Sequence, residues 1–289
     1  MVAVLVSRAP AEDNKPAKPD QAVRALVAQL RSSNPESREA AAVELGKVGP
    51  GAAAAVPALT NLMLRDRQEI RVRAAEALGK IGKASLKPLA SGLRSRDEGV
   101  RAAAARGIAL LGAEAKGSVP DLVKMLKERQ GYVRLEAVLA LGRVGPDAKA
   151  AVPALTRALK DPEEDVRCYA GESLGKVGPA AKEAVPSLIE GLKAKELRVR
   201  MGAAKGLGGI GTASQPAVPA LIAALKERDP ELDIKMLAAD ALAAIGSGAK
   251  PAVPALLEAL KTAPEIDREP IGDAIKKIDP EAAKKAGIR

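Results

Sequence analysis

Residues 166–178 read VRCYAGESLGKVG, and the same phrase returns at 199–211 as VRMGAAKGLGGIG. Its basic residue marks a column down the chain: Arg38, Arg71, Arg101, Arg134, Arg167, Arg200, Lys235 and Arg268. Successive members stand 33 residues apart, with one gap of 30 and one of 35. A fixed period of this length belongs to stacked helical hairpins, in which each unit buries its apolar face only against its neighbours. The architecture therefore follows from the spacing before any single residue is interpreted.

The stretch 146–178 shows how one unit is built. Val166, Ala170 and Leu174 fall at i, i+4 and i+8, a core stripe on a second helix, B. A first helix, A, carries AVPAL at 151–155, a phrase that returns at 55–59, 217–221 and 252–256. Its proline (Pro57, Pro88, Pro120, Pro153, Pro186, Pro219, Pro254) cannot donate to the helix ladder, so it either bends helix A or sits in its first turn. Asp161-Pro162-Glu163 predicts an N-cap at Asp161 followed by a first-position proline, and Asn34-Pro35-Glu36 and Asp229-Pro230-Glu231 repeat the device. Helix B is expected to end at Gly178 in a left-handed cap, in a column with Gly49, Gly82, Gly112, Gly145, Gly211 and Gly246. An earlier column, Gly46, Gly79, Gly142, Gly175 and Gly208, also tolerates Ala109 and Ala243, so it asks for smallness where helices approach.

Composition narrows the chemistry. The 289 residues include no histidine, which removes the usual neutral-pH general base and the commonest metal ligand. Cys168 is the only cysteine, and Tyr132 and Tyr169 are the only aromatics, so the core is expected to be Ala, Leu, Val and Ile. Net charge is +10, with the basic surplus concentrated in 51–150. No apolar run approaches the ~20 residues of a membrane span. Residues 1–19 lie outside the repeat and read as a disordered tail or the remnant of a secretory signal. The compartment is accordingly cytoplasmic as written, or exported if that remnant is real.

Pro153, Asp161 and Val166-Arg167 together resemble the HEAT repeat, specifically the phycobilisome-lyase-type HEAT-like class, where proline, aspartate and Val-Arg recur at these separations. The resemblance covers 20–278 as eight units: 20–49, 50–82, 83–112, 113–145, 146–178, 179–211, 212–246 and 247–278. Residues 279–289 are left as a polar tail or partial cap. It departs at Ala194 and Thr262, where the aspartate is lost, at Ile234-Lys235 and Asp267-Arg268, and in the shortened 80–100. The resemblance implies an all-α, right-handed α-solenoid with helix B concave and helix A convex. It also implies that the basic column is a structural ladder, pairing with the acid at the end of helix A or with carbonyls.

Three strings look enzymatic. Gly206–Gly211 fits G-x-G-x-x-G, but it closes helix B where a dinucleotide motif must open a helix. Gly171–Gly175 fits G-x-S-x-G, but Ser173 occupies a small-residue column and has no histidine to activate it. The acids Asp161, Glu163, Glu164 and Asp165 are accounted for by the helix start. No catalytic residue, cofactor or metal ligand is therefore assigned. The candidate interaction surface is Lys47, Lys80, Arg143 and Lys176, in the last turn of helix B, with Arg73, Lys83 and Lys87 near them. The function this supports is a non-catalytic scaffold for a protein partner of unspecified identity. Nucleic-acid backbone binding through 51–150 is the alternative, and a bilin-lyase-like accessory role a lesser one. A HEAT-type di-iron hydroxylase is excluded by the absence of histidine.

Overall fold

A computed structural model describes residues 19–226 and 233–288. The tail expected at 1–19 lies outside them apart from Pro19, as does Asp229-Pro230-Glu231. The described chain is a run of helix pairs, A then B. The first four are α1 (Pro19–Gln29) with α2 (Pro35–Val48), α3 (Val56–Arg65) with α4 (Gln68–Ile81), α5 (Leu86–Gly92) with α6 (Glu98–Leu111), and α7 (Val119–Met125) with α8 (Gly131–Val144). The next four are α9 (Val152–Ala158) with α10 (Glu164–Val177), α11 (Val185–Gly191) with α12 (Leu197–Ile210), α13 (Val218–Leu225) with α14 (Asp233–Ile245), and α15 (Val253–Thr262) with α16 (Glu265–Ile278). A short helix, α17 (Pro280–Lys285), packs on α16 and buries Ala283.

Each B helix except α16, which ends at Asp279, stops at its glycine, but not in the left-handed helical well the sequence suggests. Gly49, Gly112 and Gly145 have φ of 65°, 58° and 70° with ψ of −135°, −131° and −137°. That region is closed to residues with a Cβ, so the column demands glycine more strictly than an ordinary helix cap does. The chain then makes a 3₁₀ segment, such as Gly145–Ala151, before the α-helical part of A begins at Val152. Pro153 sits in that first turn, where a missing N–H leaves nothing unsatisfied. The proline therefore opens the α-helix and does not bend it.

Asn34 caps α2, accepting from the Glu36 N–H at 2.9 Å. Asp161 differs from expectation: α10 starts at Glu164, with Glu163 at the cap position. One Asp161 oxygen accepts from the Glu163 N–H at 3.0 Å, while both its oxygens face an arginine of the preceding repeat.

Two leucine-type columns fill the core. Leu45, Leu78, Ile108, Leu141, Leu174, Leu207, Leu242 and Ile275 from the B helices are fully buried, and so are Leu59, Leu89, Leu122, Leu155, Leu188, Leu221 and Leu256 from the A helices. Consecutive B helices pack directly on one another along the stack, whereas consecutive A helices meet largely through the 3₁₀ segments. The closer spacing of the B layer curves the stack toward it and makes the B face concave.

The closest approach joins α10 to α12. A Cβ placed on Gly171 would lie 2.6 Å from the Gly202 carbonyl oxygen, and one on Gly206 would lie 2.6 Å from that of Gly171. A Cβ on Gly175 would lie 2.8 Å from the Lys205 carbonyl oxygen. The two enzyme-like strings thus contribute the facing glycines of one helix–helix contact.

Two substitutions test this packing. Leu174→Ala is expected to cost about 2–4 kcal/mol, read from a urea unfolding curve, because it empties a site shared by two repeats. Gly206→Ala is the sharper test. In an open helix it would stabilise by roughly 0.5–1 kcal/mol, but here it must push α10 and α12 apart and lower the unfolding midpoint. A raised midpoint would mean that the two helices do not touch at Gly206.

Candidate interaction surface

The basic column sits at the seam between repeats. Arg134 is the fullest case: its Nε and Nη2 each reach a carboxylate oxygen of Asp161 at 2.7 Å. Its Nη1 donates to the carbonyls of Glu128 and Arg129, both at 2.9 Å, just past the end of α7. One guanidinium therefore closes the A helix of its own repeat and clasps the acid after the A helix of the next, a bidentate use that lysine cannot reproduce. Arg38 repeats it on Asp66, at 2.7 and 2.9 Å, and on the Ser32 and Ser33 carbonyls. Arg71 reaches Asp97 at 2.7 Å, and Arg101 reaches Glu128 at 2.9 Å. Arg200 donates to the Ala194 and Lys195 carbonyls, and Arg268 to that of Ala263. Lys235 is half-buried at the equivalent place. Ala194 stands where an acid is expected, and Glu196, two residues on, takes the bond from Arg167 at 3.1 Å.

These contacts shift the acids. The Arg38 guanidinium hydrogen-bonded to Asp66 holds its carboxyl below the usual carboxylate range. Burial alone would raise Asp97, but the Val100 N–H and Arg71 outweigh it and the net shift is downward.

The concave face carries a second set of ion pairs running from repeat to repeat. Arg73 bridges Glu39 at 3.3 Å and Glu76 at 3.1 Å. Arg106 bridges Glu76 and Glu136. Further along, Lys205 meets Glu172 at 2.8 Å, and Arg198 pairs with Asp165 while lying 5.9 Å above the Tyr169 ring. Exposed pairs of this kind each contribute ~0–1 kcal/mol, so their main effect is to fix side-chain positions on the face.

The candidate cations divide between two faces. Lys47, Lys80, Arg143 and Lys176 are exposed in the last turns of α2, α4, α8 and α10. Lys47 bonds to Glu44 at 2.7 Å, whereas Lys80, Arg143 and Lys176 make no ion pair among the described residues. Arg73 is engaged by its two glutamates. Lys83 and Lys87 follow the Gly82 turn, in the 3₁₀ segment and α5, and leave the B face altogether. Sequence reasoning missed Leu110, the half-exposed member of the last-turn column in α6. It also missed the two acid–base steps in a neighbouring column, Glu76 to Arg106 and Glu172 to Lys205 with Leu139 between them, which were open to view in the 33-residue register.

The enzyme-like features are absorbed by packing. Ser173 is buried, and its Oγ donates to the Val138 carbonyl at 2.9 Å. Cys168 is buried, and that burial pushes its thiol up, away from the reactive thiolate. Asp161 and Asp165 are held by Arg134 and Arg198. Among the described residues no group of three or more metal-ligating side chains converges, and no helix is long and apolar enough to cross a membrane.

The sequence matches the family described as HEAT repeats over residues 23–109, 86–167, 152–227 and 185–276. No curated protein matches it. Among solved structures, an engineered protein is 24% identical, with a TM-score of 0.58, covering 92% of this chain and 82% of its own. The CpcE–CpcF complex of phycocyanin lyase from Nostoc sp. is 26% identical, with a TM-score of 0.49, covering 87% of this chain and 98% of its own. Kap121p bound to Pho4p is 16% identical, with a TM-score of 0.68, covering 90% of this chain and 34% of its own. This chain therefore spans about a third of Kap121p.

The seam yields two measurable consequences. Arg134→Ala should cost about 3 kcal/mol in unfolding free energy, since it strands the largely buried Asp161 without its partner. Asp66 is depressed in the folded state, so its contribution is fully present above the unfolded carboxylate value of about 3.9 and disappears as pH falls through the folded value. Asp66→Asn should flatten the acid limb of a stability-against-pH curve. An unchanged limb would show that this pair adds nothing.

Proposed function

The chain belongs to the HEAT-repeat family, and on that footing we propose that it is a non-catalytic scaffold holding a protein partner along its concave B-helix face. The observation that carries this reading is where apolar surface is left uncovered. Of five large apolar side chains that stay exposed among the described residues, Leu110, Tyr132 and Ile266 project from B helices outside the core column, against Leu64 from an A helix and Val48, whose counterparts Ile81, Val144 and Val177 are buried. Exposed apolar side chains interleaved with fixed charges form the composition of a protein-binding surface. The engagement of Ser173 and Cys168 in packing supports the non-catalytic half of the reading. The Kap121p structure, of the same architecture, holds another protein, Pho4p.

A second reading rests on Lys80, Arg143 and Lys176, which are uncompensated and in register, as a path for a nucleic-acid backbone. Against it, Glu76, Glu136 and Glu172 lie among those cations on the same face.

Photo-crosslinking separates the alternatives. A crosslinking residue at Tyr132 or Tyr169 should join the full-length chain to one partner protein, and the same residue at Lys149 or Pro186, off the concave face, should not. Equal yields from both faces would defeat the scaffold reading. Duplex binding, if it occurs, should fall by about 0.9 log unit per log unit of salt for each phosphate contact and vanish near ~0.15 M salt. Tight binding at that salt would favour the nucleic-acid reading instead.

A further inference from the structure

The last-turn column of the B helices is cationic in four of the first five repeats and apolar in one. Lys47, Lys80, Arg143 and Lys176 occupy it in repeats one, two, four and five, and Leu110 in repeat three. A cation is the favourable residue at a helix C-terminus, and Leu110 is instead 49% exposed there. Leu110 lies in an open groove of about 570 Å³ across α4, α6 and α8, with Leu139 beside it, Lys80 on one side and Arg143 on the other.

The charges in this groove are not equivalent. Glu76 is held by Arg73 and Arg106 and Glu136 by Arg106, so each carboxylate of the floor already has a guanidinium partner. Lys80 and Arg143 make no ion pair among the described residues. The groove therefore offers one apolar contact point between two unanswered positive charges, each one repeat away. Packed helices stand ~8–10 Å apart, and a chain extended as polyproline II advances ~3.1 Å per residue with about three residues per turn, so residues three apart share one face at about the repeat spacing.

We propose that this groove binds an extended acidic peptide segment of the partner protein. Its central apolar side chain sits on Leu110 and Leu139, and a carboxylate three residues to either side meets Lys80 and Arg143. The inference rests on the scaffold reading and gives the chemistry of what is held. A basic segment would meet Lys80 and Arg143 with like charge and be rejected. A phosphate backbone would find an apolar side chain at the middle of the three positions, where it needs a cation.

The test uses the full chain and a peptide array on a Gly/Ser background. Each peptide carries a central leucine with aspartates placed one to six residues away on both sides, and control series replace leucine by serine or aspartate by lysine. Binding at ~0.15 M salt is expected to peak at the three-residue spacing, with the lysine series silent. For the best peptide, measured by fluorescence anisotropy, Lys80→Glu with Arg143→Glu should weaken binding by about tenfold or more. Leu110→Ser should abolish the preference for leucine over serine while keeping the salt dependence. Lys116→Glu with Lys149→Glu, exposed on the 3₁₀ segments of neighbouring repeats, should change it by less than about threefold. All these side chains are exposed, and unchanged far-UV spectra check that the variants fold.

A flat spacing profile, equal binding of the serine series, or equal losses from the two double reversals would each overturn the proposal, as would a duplex oligonucleotide that outcompetes the best peptide. If the array fails while crosslinks from Tyr132 persist, the partner binds elsewhere on the concave face and the scaffold reading survives alone. If crosslinks from the concave face fail as well, both readings fall.

Discussion

Everything in this chain depends on how closely one B helix can approach the next. The smallness column that includes Gly79, Gly142 and Gly175 meets the neighbouring B helix where a Cβ would collide with it. A closely spaced B layer and a looser A layer cannot stack flat, so the concave face follows from side-chain size in one column. The apolar core then needs nothing large. With aromatics at 1% of the chain, two columns of leucine-type residues suffice, because each layer is only one helix deep. Burial of this kind has no intrinsic end, and α17 continues it by packing on α16, with Ile288 against Gly272.

Apolar packing between repeats is non-directional and does not fix how far one hairpin slides along the next. The arginine seam supplies that register. A guanidinium anchored to two carbonyls of its own repeat has its remaining N–H groups fixed in space, and the acid of the next repeat must come to them. Exchange of the acid's position, from Asp161 in one unit to Glu196 in another, shows that the requirement is for a carboxylate at a point in space. Asp161 stands three residues before α10 begins, so one of its oxygens accepts from the Glu163 N–H while both meet Arg134, whereas Asp97, directly before α6, caps that helix and takes Arg71 as well.

These placements mark what the sequence could convey. The period, the pairing of helices and the glycine columns were legible, because backbone geometry and steric contact impose them residue by residue. The ψ of the glycine caps was not, since positive φ alone requires glycine and the sequence carries no second signal. The pairing of Asp161 with the basic ladder was legible as what the HEAT-like pattern implies, whereas its place three residues before α10 was not. At the candidate surface the difficulty was of another kind. Lys80, Lys83 and Lys87 are neighbours in sequence, and the Gly82 turn sends the last two to a different face. Leu110 carries no signal of its own, because Leu110-Leu111-Gly112 continues an apolar run, and only Leu111 of the pair is buried.

The two sets of cations on the B helices illustrate how a basic chain can still be selective. Net charge of +10 would by itself attract any polyanion without discrimination. Here the arginines at the seams are neutralised by the acids of the next repeat, and Arg73 and Arg106 by glutamates on the face. Of the last-turn cations of the B helices, Lys80, Arg143, Lys176 and Lys277 make no ion pair among the described residues, at intervals set by the repeat itself. Selectivity then comes from spacing and from the apolar interruption at Leu110, not from total charge. A solenoid turns sequence period into spatial period, so uncharged residues in single repeats, Leu110, Gly209 and Ala244 in this column, convert a row of charges into a pattern that a ligand has to match.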